Sequence, residues 1–364
     1  KFIKAIFLSL FIALILFLSI RGNYGNPNSK NMNDNFWKEG GPLELSPERG
    51  RFALLYSLVE DKSFFFSTDL ARFTTPDLGY KDGHYVSLFA PAVSYIASIG
   101  YLIGKQFGVS QVGAFLTIAL FALFNGLLIH SISKKLGANS TASTLASLVY
   151  LFATPAYAYS VSLYQHQIST FLILMAFNLL LSTPSFLKLF LIWLLCAASI
   201  PVDYPNLFLM APIGISALSW LFNSEKLKDK VQINFKAVYL FSFIGLALPL
   251  LFFFWFNFHS YGNPLQFSGT VESVAAIDQF GNPTVSRLDK PKQIEDLENP
   301  VPEPEKSAVG FFKTRHILNG FYIHFFSPDR GILYFTPVII FGLLGLFVAY
   351  RKKLPLIKVL FSII

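Results

Sequence analysis

The stretch SQVGAFLTIALFALFNGLLIHSI, residues 110–132, decides the fold class of this chain. It contains no Asp, Glu, Lys or Arg, and it exceeds the roughly 20 residues that an α-helix needs to cross the hydrocarbon core of a bilayer. The chain therefore reads as an all-α integral membrane protein with many helices. Other apolar runs lie near 2–20, 141–159, 166–182, 187–200, 204–222, 236–258 and 332–350, and one begins at about 355.

The composition also indicates a membrane protein. Hydrophobic residues make up 53% of the 364 residues and charged residues 14%, whereas about a quarter of a soluble domain is charged. The net charge of +8 does not predict a nucleic-acid partner, because the basic residues fall in short loops between apolar runs. Cys196 is the single cysteine, so no intrachain disulfide can form. We expect a lipid bilayer as the surroundings.

The distribution of basic residues predicts the topology. One run, FAPAVSYIASIGYLIGK at 89–105, is ambiguous in length. If it does not span and the N-terminus is cytoplasmic, the basic loop residues all face the cytoplasm, which is the favoured arrangement. We therefore predict a multi-pass protein of the plasma (cytoplasmic) membrane, with 89–105 as a juxtamembrane helix at the outer surface. The basic residues concerned are Lys134, Lys135, Lys188, Lys226, Lys228, Lys230, Lys236, Arg351, Lys352 and Lys353.

This topology divides the chain into five segments. They are a first transmembrane helix at 1–20, an extracytoplasmic loop at 21–109, transmembrane helices at 110–258, a second extracytoplasmic loop at 259–331, and a helix with the start of another at 332–364. Only Glu225 and Asp229 among the 21 acidic residues then face the cytoplasm. Acid–base chemistry is expected outside, unless the long outer loops simply hold more polar residues. Because the chain starts at Lys1 and stops within an apolar run, we expect a piece of a longer protein.

A series of motifs follows the first apolar run in a characteristic order. In sequence they are ERGRF at 48–52, DLGYKDGHY at 77–85, APAVSY at 90–95, YQHQISTF at 164–171, VDYPNLFL at 202–209, FNFHSYGNPLQFSG at 256–269 and FFSPDRGILYFTP at 325–337. This order resembles the GT-C superfamily of polyprenyl-phosphate-sugar-dependent glycosyltransferases, which includes protein O-mannosyltransferases and the lipid A aminoarabinose transferase. The resemblance implies a GT-C-like multi-helix bundle with a large first outer loop that carries juxtamembrane helices.

The resemblance also implies a reaction. A sugar would pass with inversion from a polyprenyl-phosphate carrier to an extracytoplasmic acceptor, which is a glycan, a lipid or a protein. A lipid phosphate is already a good leaving group, so the enzyme needs a base for the acceptor hydroxyl and a cation for the departing phosphate. In the family the base is an acid three residues before an arginine. Here these are Glu48 and Arg51, and their spacing predicts that they hold each other on one helix face.

Further site residues follow from the remaining motifs. Asp77 and Asp82 are additional catalytic candidates, and with His84 they are candidate ligands for a divalent cation. The alternative for Asp82 is a structural turn with Gly83. Residues expected to bind the donor or acceptor are His84, Tyr85, His166, Asp203 and Arg330, of which His166 and Asp203 have helix capping as the alternative.

One position departs from the family pattern. Relatives place a lysine directly before the juxtamembrane proline to hold the donor phosphate, and this chain has Ala90 there. Arg330 is the preferred substitute, ahead of Lys81, with an interfacial anchor as the alternative role. The alternative function is a non-catalytic GT-C-like membrane protein or a lipid-linked saccharide transporter. A transporter typically has internal repeats, and no clear repeat is evident.

Overall fold

The computed structural model describes residues 2–39, 41–227, 230–286, 317–354 and 356–363. The first part contains one long helix, α1 (Phe2–Ser19), and four helices of the predicted first loop. These four are α2 (Asn35–Lys38), α3 (Ser46–Tyr56), α4 (Thr68–Thr74) and α5 (Ala92–Gln106). The predicted helix at 89–105 is therefore confirmed as a helix, and Pro91 occupies its N-cap.

The middle of the chain is a bundle of apolar helices. Its members are α6 (Ser110–Lys135), α7 (Ser140–Phe152), α8 (Ala156–Ser160), α9 (His166–Leu180), α10 (Phe186–Ala198), α11 (Asn206–Leu218) and α12 (Ile244–Tyr261). A 3₁₀ segment, Ala237–Phe243, leads directly into α12. Within the described ranges, two helices are long and apolar enough to cross a membrane, Ser110–Lys135 and Ala237–Tyr261. The later helices are α13 (Ile317–Phe326), α14 (Ile332–Phe335), α15 (Ile339–Arg351) and α16 (Ile357–Ile363).

Prolines interrupt two of the runs that the sequence predicts as single helices. In the run 141–159, α7 ends at Phe152 and Pro155 precedes the short α8. In the run 332–350, Pro337 separates α14 from α15. Proline disfavours helical geometry in the residue before it and has no backbone N–H to donate. These two expectations of continuous helices were wrong for that reason.

The chain is mostly helical, as predicted, but it also contains a four-stranded antiparallel sheet that the all-α prediction missed. Its order is β2 (His84–Ser87), β1 (Leu78–Lys81), β5 (Glu272–Ile277) and β6 (Pro283–Ser286). A separate hairpin pairs β3 (Phe222–Leu227) with β4 (Lys230–Phe235). In the larger sheet, β1 comes from the predicted first outer loop and β5 from the second. The two loops therefore lie at the same end of the helices.

Helix α5 folds back on α6 through glycines. A Cβ added at Gly100 would lie 2.1 Å from the carbonyl oxygen of Gly113, so only glycine permits this backbone approach. The N-terminal end of α5 binds the connection between α10 and α11, where the Ala92 N–H donates to the Pro201 carbonyl at 2.9 Å. Its side chain Tyr95 packs edge-to-face on Phe252 of α12.

A buried polar network fixes the start of α9 against its neighbours. The Gln167 side-chain oxygen accepts from the Asn125 side-chain amide of α6 at 2.8 Å and from the Tyr150 hydroxyl of α7 at 2.9 Å. The Gln167 amide donates to the Ala156 carbonyl of α8 at 2.6 Å. Hydrogen bonds between buried side chains resist rearrangement because each broken bond leaves a desolvated polar group. The segment 163–165 just before α9 is thereby held in a defined place.

Basic residues occupy the other end of the bundle. Lys135, at the end of α6, donates to the Asn178 carbonyl of α9 at 2.7 Å. Lys188, at the start of α10, donates to the Thr183 carbonyl at 2.9 Å. Lys228, predicted to lie at this end, is outside the described residues, as is the stretch 287–316 of the predicted second outer loop.

Candidate active site

Helix α3 carries the ERGRF motif into the interior of the protein. Pro47 in its first turn has no N–H to leave unsatisfied and pre-sets helical geometry. The helix is buried on all sides over Phe52–Leu55, whose side chains are fully shielded. The Ser94 hydroxyl of α5 donates to the Arg51 carbonyl at 2.8 Å. A short hydrophilic helix from a loop thus becomes a central structural element.

A second anchor holds the C-terminal end of α3. The helix continues into a π-helical turn, Ser57–Asp61. Glu60 in that turn accepts from Lys105 of α5 at 2.6 Å and from the Tyr101 hydroxyl at 2.8 Å. These bonds lower the pKa of the Glu60 carboxyl despite its partial burial. The two bonds of Glu60 fix the C-terminal end of α3 on α5 and leave the first turn of α3 facing α9.

Glu48 lies in that first turn and is buried, with only 5% of its surface exposed. Its Oε1 accepts the backbone N–H of Leu163 at 3.2 Å. Burial raises the pKa of the Glu48 carboxyl from its ordinary value to about 7, although the Leu163 N–H opposes the shift. A side chain this deeply buried is not an exposed helix cap. A carboxyl that titrates near neutral pH is suited to accept and release a proton.

Arg51 is equally buried, with 5% of its surface exposed. Its guanidinium donates to the Pro47 carbonyl at 3.0 Å and to the Gln165 side-chain oxygen. The group also stacks over the Phe89 ring at 4.4 Å and the Tyr164 ring at 5.1 Å. Burial lowers the pKa of the guanidinium to about 10. The side chain stays a cation at neutral pH in a place where a cation is costly.

Glu48 and Arg51 do not form the ion pair that their spacing predicts. The ion pairs within the described ranges involve other side chains, namely Arg21–Glu44, Lys81–Asp82 and Lys105–Glu60. The reason is that each group finds a partner in the 163–165 segment instead, Glu48 through Leu163 and Arg51 through Gln165. Opposite charges on one short helix are therefore both buried and not in direct contact.

Two more of the expected residues join this cluster. Asp203 accepts from the Gln165 amide at 3.3 Å, so Gln165 links it to Arg51. Asp77 accepts from the Ser46 hydroxyl at 2.6 Å at the start of α3. The sequence did not single out Gln165 or Phe89 as partners of Arg51, although both lie within stretches quoted from the sequence. We call Glu48, Arg51, Asp77, Gln165 and Asp203 the α3 cluster.

Three expected site residues lie elsewhere. Asp82 has a positive φ of 48° and lies in the two-residue turn between β1 and β2, as its structural alternative expects. Asp82 is roughly 16 Å along the chain from Asp77 at about 3.3 Å per residue of extended backbone. His84 stacks on the Phe65 ring at 4.2 Å, and the buried Tyr85 donates to the Gly281 carbonyl at 2.7 Å. Strand geometry thus places these three away from α3, and a role for them in the site stays a prediction.

Of the remaining two expected residues, His166 lies beside the α3 cluster and Arg330 does not contact it. His166 is the first residue of α9, and its ring contacts those of Tyr159 and Tyr164, with Tyr164 also facing Arg51. Arg330 is exposed, and within the part of the chain that the structure describes it makes no hydrogen bond, ion pair or ring contact. The structure thus brings His166 to the α3 cluster and leaves the Arg330 role a prediction.

No group of three His, Cys, Asp or Glu side chains within the described residues is arranged to hold a metal ion. No protein-family model, curated protein or solved structure matches this chain. The α3 cluster itself is therefore the ground for any functional inference.

The raised pKa of Glu48 predicts a pH-dependent stability. The pKa is about 7 in the folded state and 4.5 for the ordinary group, so folding favours the protonated form. The stabilisation of the fold by protonated Glu48 is fully present below pH 4.5 and is lost as the pH rises through about 7. We expect Glu48→Gln to be more stable than the wild type by about 3 kcal/mol at pH 8 and by about 1 kcal/mol or less at pH 5.

Thermal unfolding of the detergent-solubilised protein at both pH values measures this difference. Glu44→Gln is the matched control, because Glu44 is an exposed acid on the same loop and should give no pH-dependent gain. A Glu48→Gln variant without extra stability at pH 8 would show that Glu48 is not a desolvated carboxyl.

Proposed function

We propose that this chain is a multi-pass membrane glycosyltransferase of GT-C type, which transfers a sugar from a polyprenyl-phosphate carrier to an extracytoplasmic acceptor. The observation that carries the proposal is the pair of buried charges on α3. A carboxyl with a pKa of about 7 and a guanidinium stand one helical turn apart, and neither is neutralised by the other. The transfer of a sugar from a lipid phosphate requires a base that can take up a proton near neutral pH and a cation free to bind the phosphate.

The surface of α12 supports a membrane location. Large apolar side chains form one stripe along this helix and its 3₁₀ extension, each between 46% and 71% exposed. The stripe is about 25 Å long at 1.5 Å per residue, close to the thickness of a hydrocarbon core. Soluble proteins rarely expose a continuous apolar surface of this extent. Its residues are Phe241, Ile244, Leu248, Leu251, Trp255 and Phe258.

The separation of the two ends supports the sidedness. The α3 cluster and the sheet shared by both loops lie at one end of the bundle, and Lys135 and Lys188 lie at the other. Basic loops favour the cytoplasm. The contacts of α5 with Pro201, Phe252 and Gly113 are all at the α3 end, which suits a helix that lies at the outer surface.

This topology is testable by cysteine labelling. Cys196 is first replaced by Ser, and single cysteines are placed at two exposed positions, Phe107 between α5 and α6 and Lys134 at the end of α6. An impermeant maleimide added to intact cells should label Phe107→Cys, and Lys134→Cys should react only after permeabilisation. Labelling of both from the same side would contradict the topology and remove the cluster from the outer face.

The proposed chemistry follows from the two groups. The Glu48 carboxylate takes the proton of the acceptor hydroxyl as its oxygen attacks the anomeric carbon of the sugar. The bond between that carbon and the phosphate oxygen breaks, and the electron pair leaves with the polyprenyl phosphate. Attack from the face opposite the leaving group inverts the anomeric configuration. No metal or nucleotide is needed for this sequence of bond changes.

Arg51 is the group we propose for the departing phosphate. Its guanidinium lies against Phe89, the residue directly before Ala90, so it brings a cation to the region where relatives carry their lysine. Two of its contacts are to neutral oxygens, and the guanidinium has five N–H donors in total. A buried cation without a direct anionic partner gains from binding an anion. Arg51 thus takes the role first expected of Arg330.

The experiment for the proposal is a transfer assay with purified protein in nanodiscs. Radiolabelled polyprenyl-phosphate glucose and mannose are supplied with an envelope extract as acceptor, and bare polyprenyl phosphate is measured. We expect its formation to depend on the protein and on the acceptor. Binding of the carrier without any release would instead favour the non-catalytic or transporter alternative.

A further inference from the structure

Three aromatic rings stand beside the α3 cluster in a corner arrangement. The Tyr164 and His166 rings are parallel within 9°, with centroids 5.8 Å apart. The Tyr159 ring stands across both, at 69° to Tyr164 and 64° to His166, with centroids 5.7 and 4.2 Å away. We call these residues the aromatic corner. Tyr159 lies at the end of α8, Tyr164 in the connection and His166 at the start of α9. Because the connection is short, it brings the three rings together.

The corner is accessible and has unused polar atoms. Tyr159 is 37% exposed, and Tyr164 and His166 are half-buried. Within the described ranges, neither phenol hydroxyl nor either ring nitrogen of His166 makes a hydrogen bond. A core aromatic normally buries its ring and satisfies its hydroxyl. The rings of the corner are only partly buried and their polar atoms are unbonded, so the corner offers flat apolar faces together with two free phenol hydroxyls and a free imidazole.

We propose that the aromatic corner binds the sugar of the donor, a neutral pyranose with one apolar face. Aromatic faces carry partial negative charge, so they suit the C–H face of a neutral ring and not an anionic phosphate. The phenol and imidazole groups, each able to donate or accept, suit the ring hydroxyls.

The position of the corner relative to Arg51 supports this assignment, which rests on the proposed function. The donor sugar is bonded directly to the phosphate, so its site must adjoin the phosphate site. Tyr164 meets this requirement because its ring lies 5.1 Å from the Arg51 guanidinium carbon. A membrane-anchoring role alone would not require a ring to face a buried cation.

The test compares two carriers, bare polyprenyl phosphate and polyprenyl-phosphate glucose, in binding to the full protein in nanodiscs. We expect the wild type to bind the glucose-bearing carrier more tightly. Tyr159→Leu should lower that affinity about three- to tenfold, the value of one aromatic contact, and leave the bare carrier within about twofold. Tyr159→Phe keeps the ring and should retain most of the affinity.

Phe258→Leu is the matched control, because Phe258 is an exposed ring near the C-terminal end of α12. The affinity for either carrier should not change in this variant. An equal loss for both carriers in Tyr159→Leu, or no loss for either, would overturn the proposal while the proposed function stands. A wild-type protein that binds neither carrier would overturn the proposed function, and this inference with it. Thermal unfolding of each variant confirms that the comparison is made on folded protein.

Discussion

Glu48→Gln should reduce the rate of sugar transfer by a factor of about 10² to 10⁴, the usual cost of removing a general base. The substitution keeps the size of the side chain and its ability to accept the Leu163 N–H, which Glu48 does at 3.2 Å. It removes only the capacity to take a proton from the acceptor. The affinity for the carrier should therefore stay within a few-fold of the wild type, and the turnover number carries the loss.

The dependence of the rate on pH gives this prediction a second readout. With a pKa of about 7, the fraction of Glu48 present as carboxylate increases as the pH rises, and the wild-type rate should increase through about pH 7 and then level off. Glu48→Gln should lack that increase. Glu48→Asp retains a carboxylate on a shorter side chain and should have an intermediate rate. Transfer at the wild-type rate by the Gln variant would remove Glu48 from the mechanism and direct attention to Asp77.

Arg51→Met should weaken carrier binding about 30-fold or more, as expected when one partner of a buried charge pair is removed at a cost of roughly 2–5 kcal/mol. Methionine fills a similar volume between the Phe89 and Tyr164 rings but brings no positive charge. The phosphate of the carrier would then be buried without a counter-ion. Binding of radiolabelled polyprenyl phosphate to the protein in nanodiscs measures the loss.

The controls for Arg51 separate charge from geometry. Arg51→Lys keeps the charge without the planar fork, so its affinity should lie between those of the wild type and the Met variant. Arg21→Met removes an exposed arginine that pairs with Glu44, and solvent screening should limit its effect to about threefold. If Arg51→Met binds the carrier as tightly as the wild type does, the phosphate site lies elsewhere, and Arg330 becomes the next residue to test.

The fold was predictable where one residue pattern fixes one kind of element. The run at 110–132 contains no charge, so it forms a single uninterrupted helix, α6. The four-stranded sheet was not predictable from pattern, because β1 pairs with β5 from a loop almost 200 residues later in the chain. Short strands in polar loops carry little periodicity, and their pairing depends on which loops meet at one end of the bundle.

Four of the five members of the α3 cluster were predictable from sequence, but their contacts and the fifth member, Gln165, were not. Glu48, Arg51, Asp77 and Asp203 were all selected by motif, and the structure gathers them around α3. The spacing of Glu48 and Arg51 suggested a local ion pair, yet both bind the 163–165 segment. Local spacing describes an isolated helix, whereas burial of α3 offers both groups partners from a distant segment. The same tertiary origin explains why the contact of Gln165 with Arg51 and the grouping of Tyr159 with Tyr164 and His166 could not be predicted, although three of these residues lie in one quoted motif.

The measurement that tests the central claim most directly is the position of the phosphate in a structure of this protein bound to bare polyprenyl phosphate. The account predicts phosphate oxygens about 3 Å from the Arg51 guanidinium nitrogens, with the Glu48 carboxylate on the side of the phosphate away from the polyprenyl chain. A phosphate bound away from α3, with Arg51 still in contact only with Pro47 and Gln165, would contradict it.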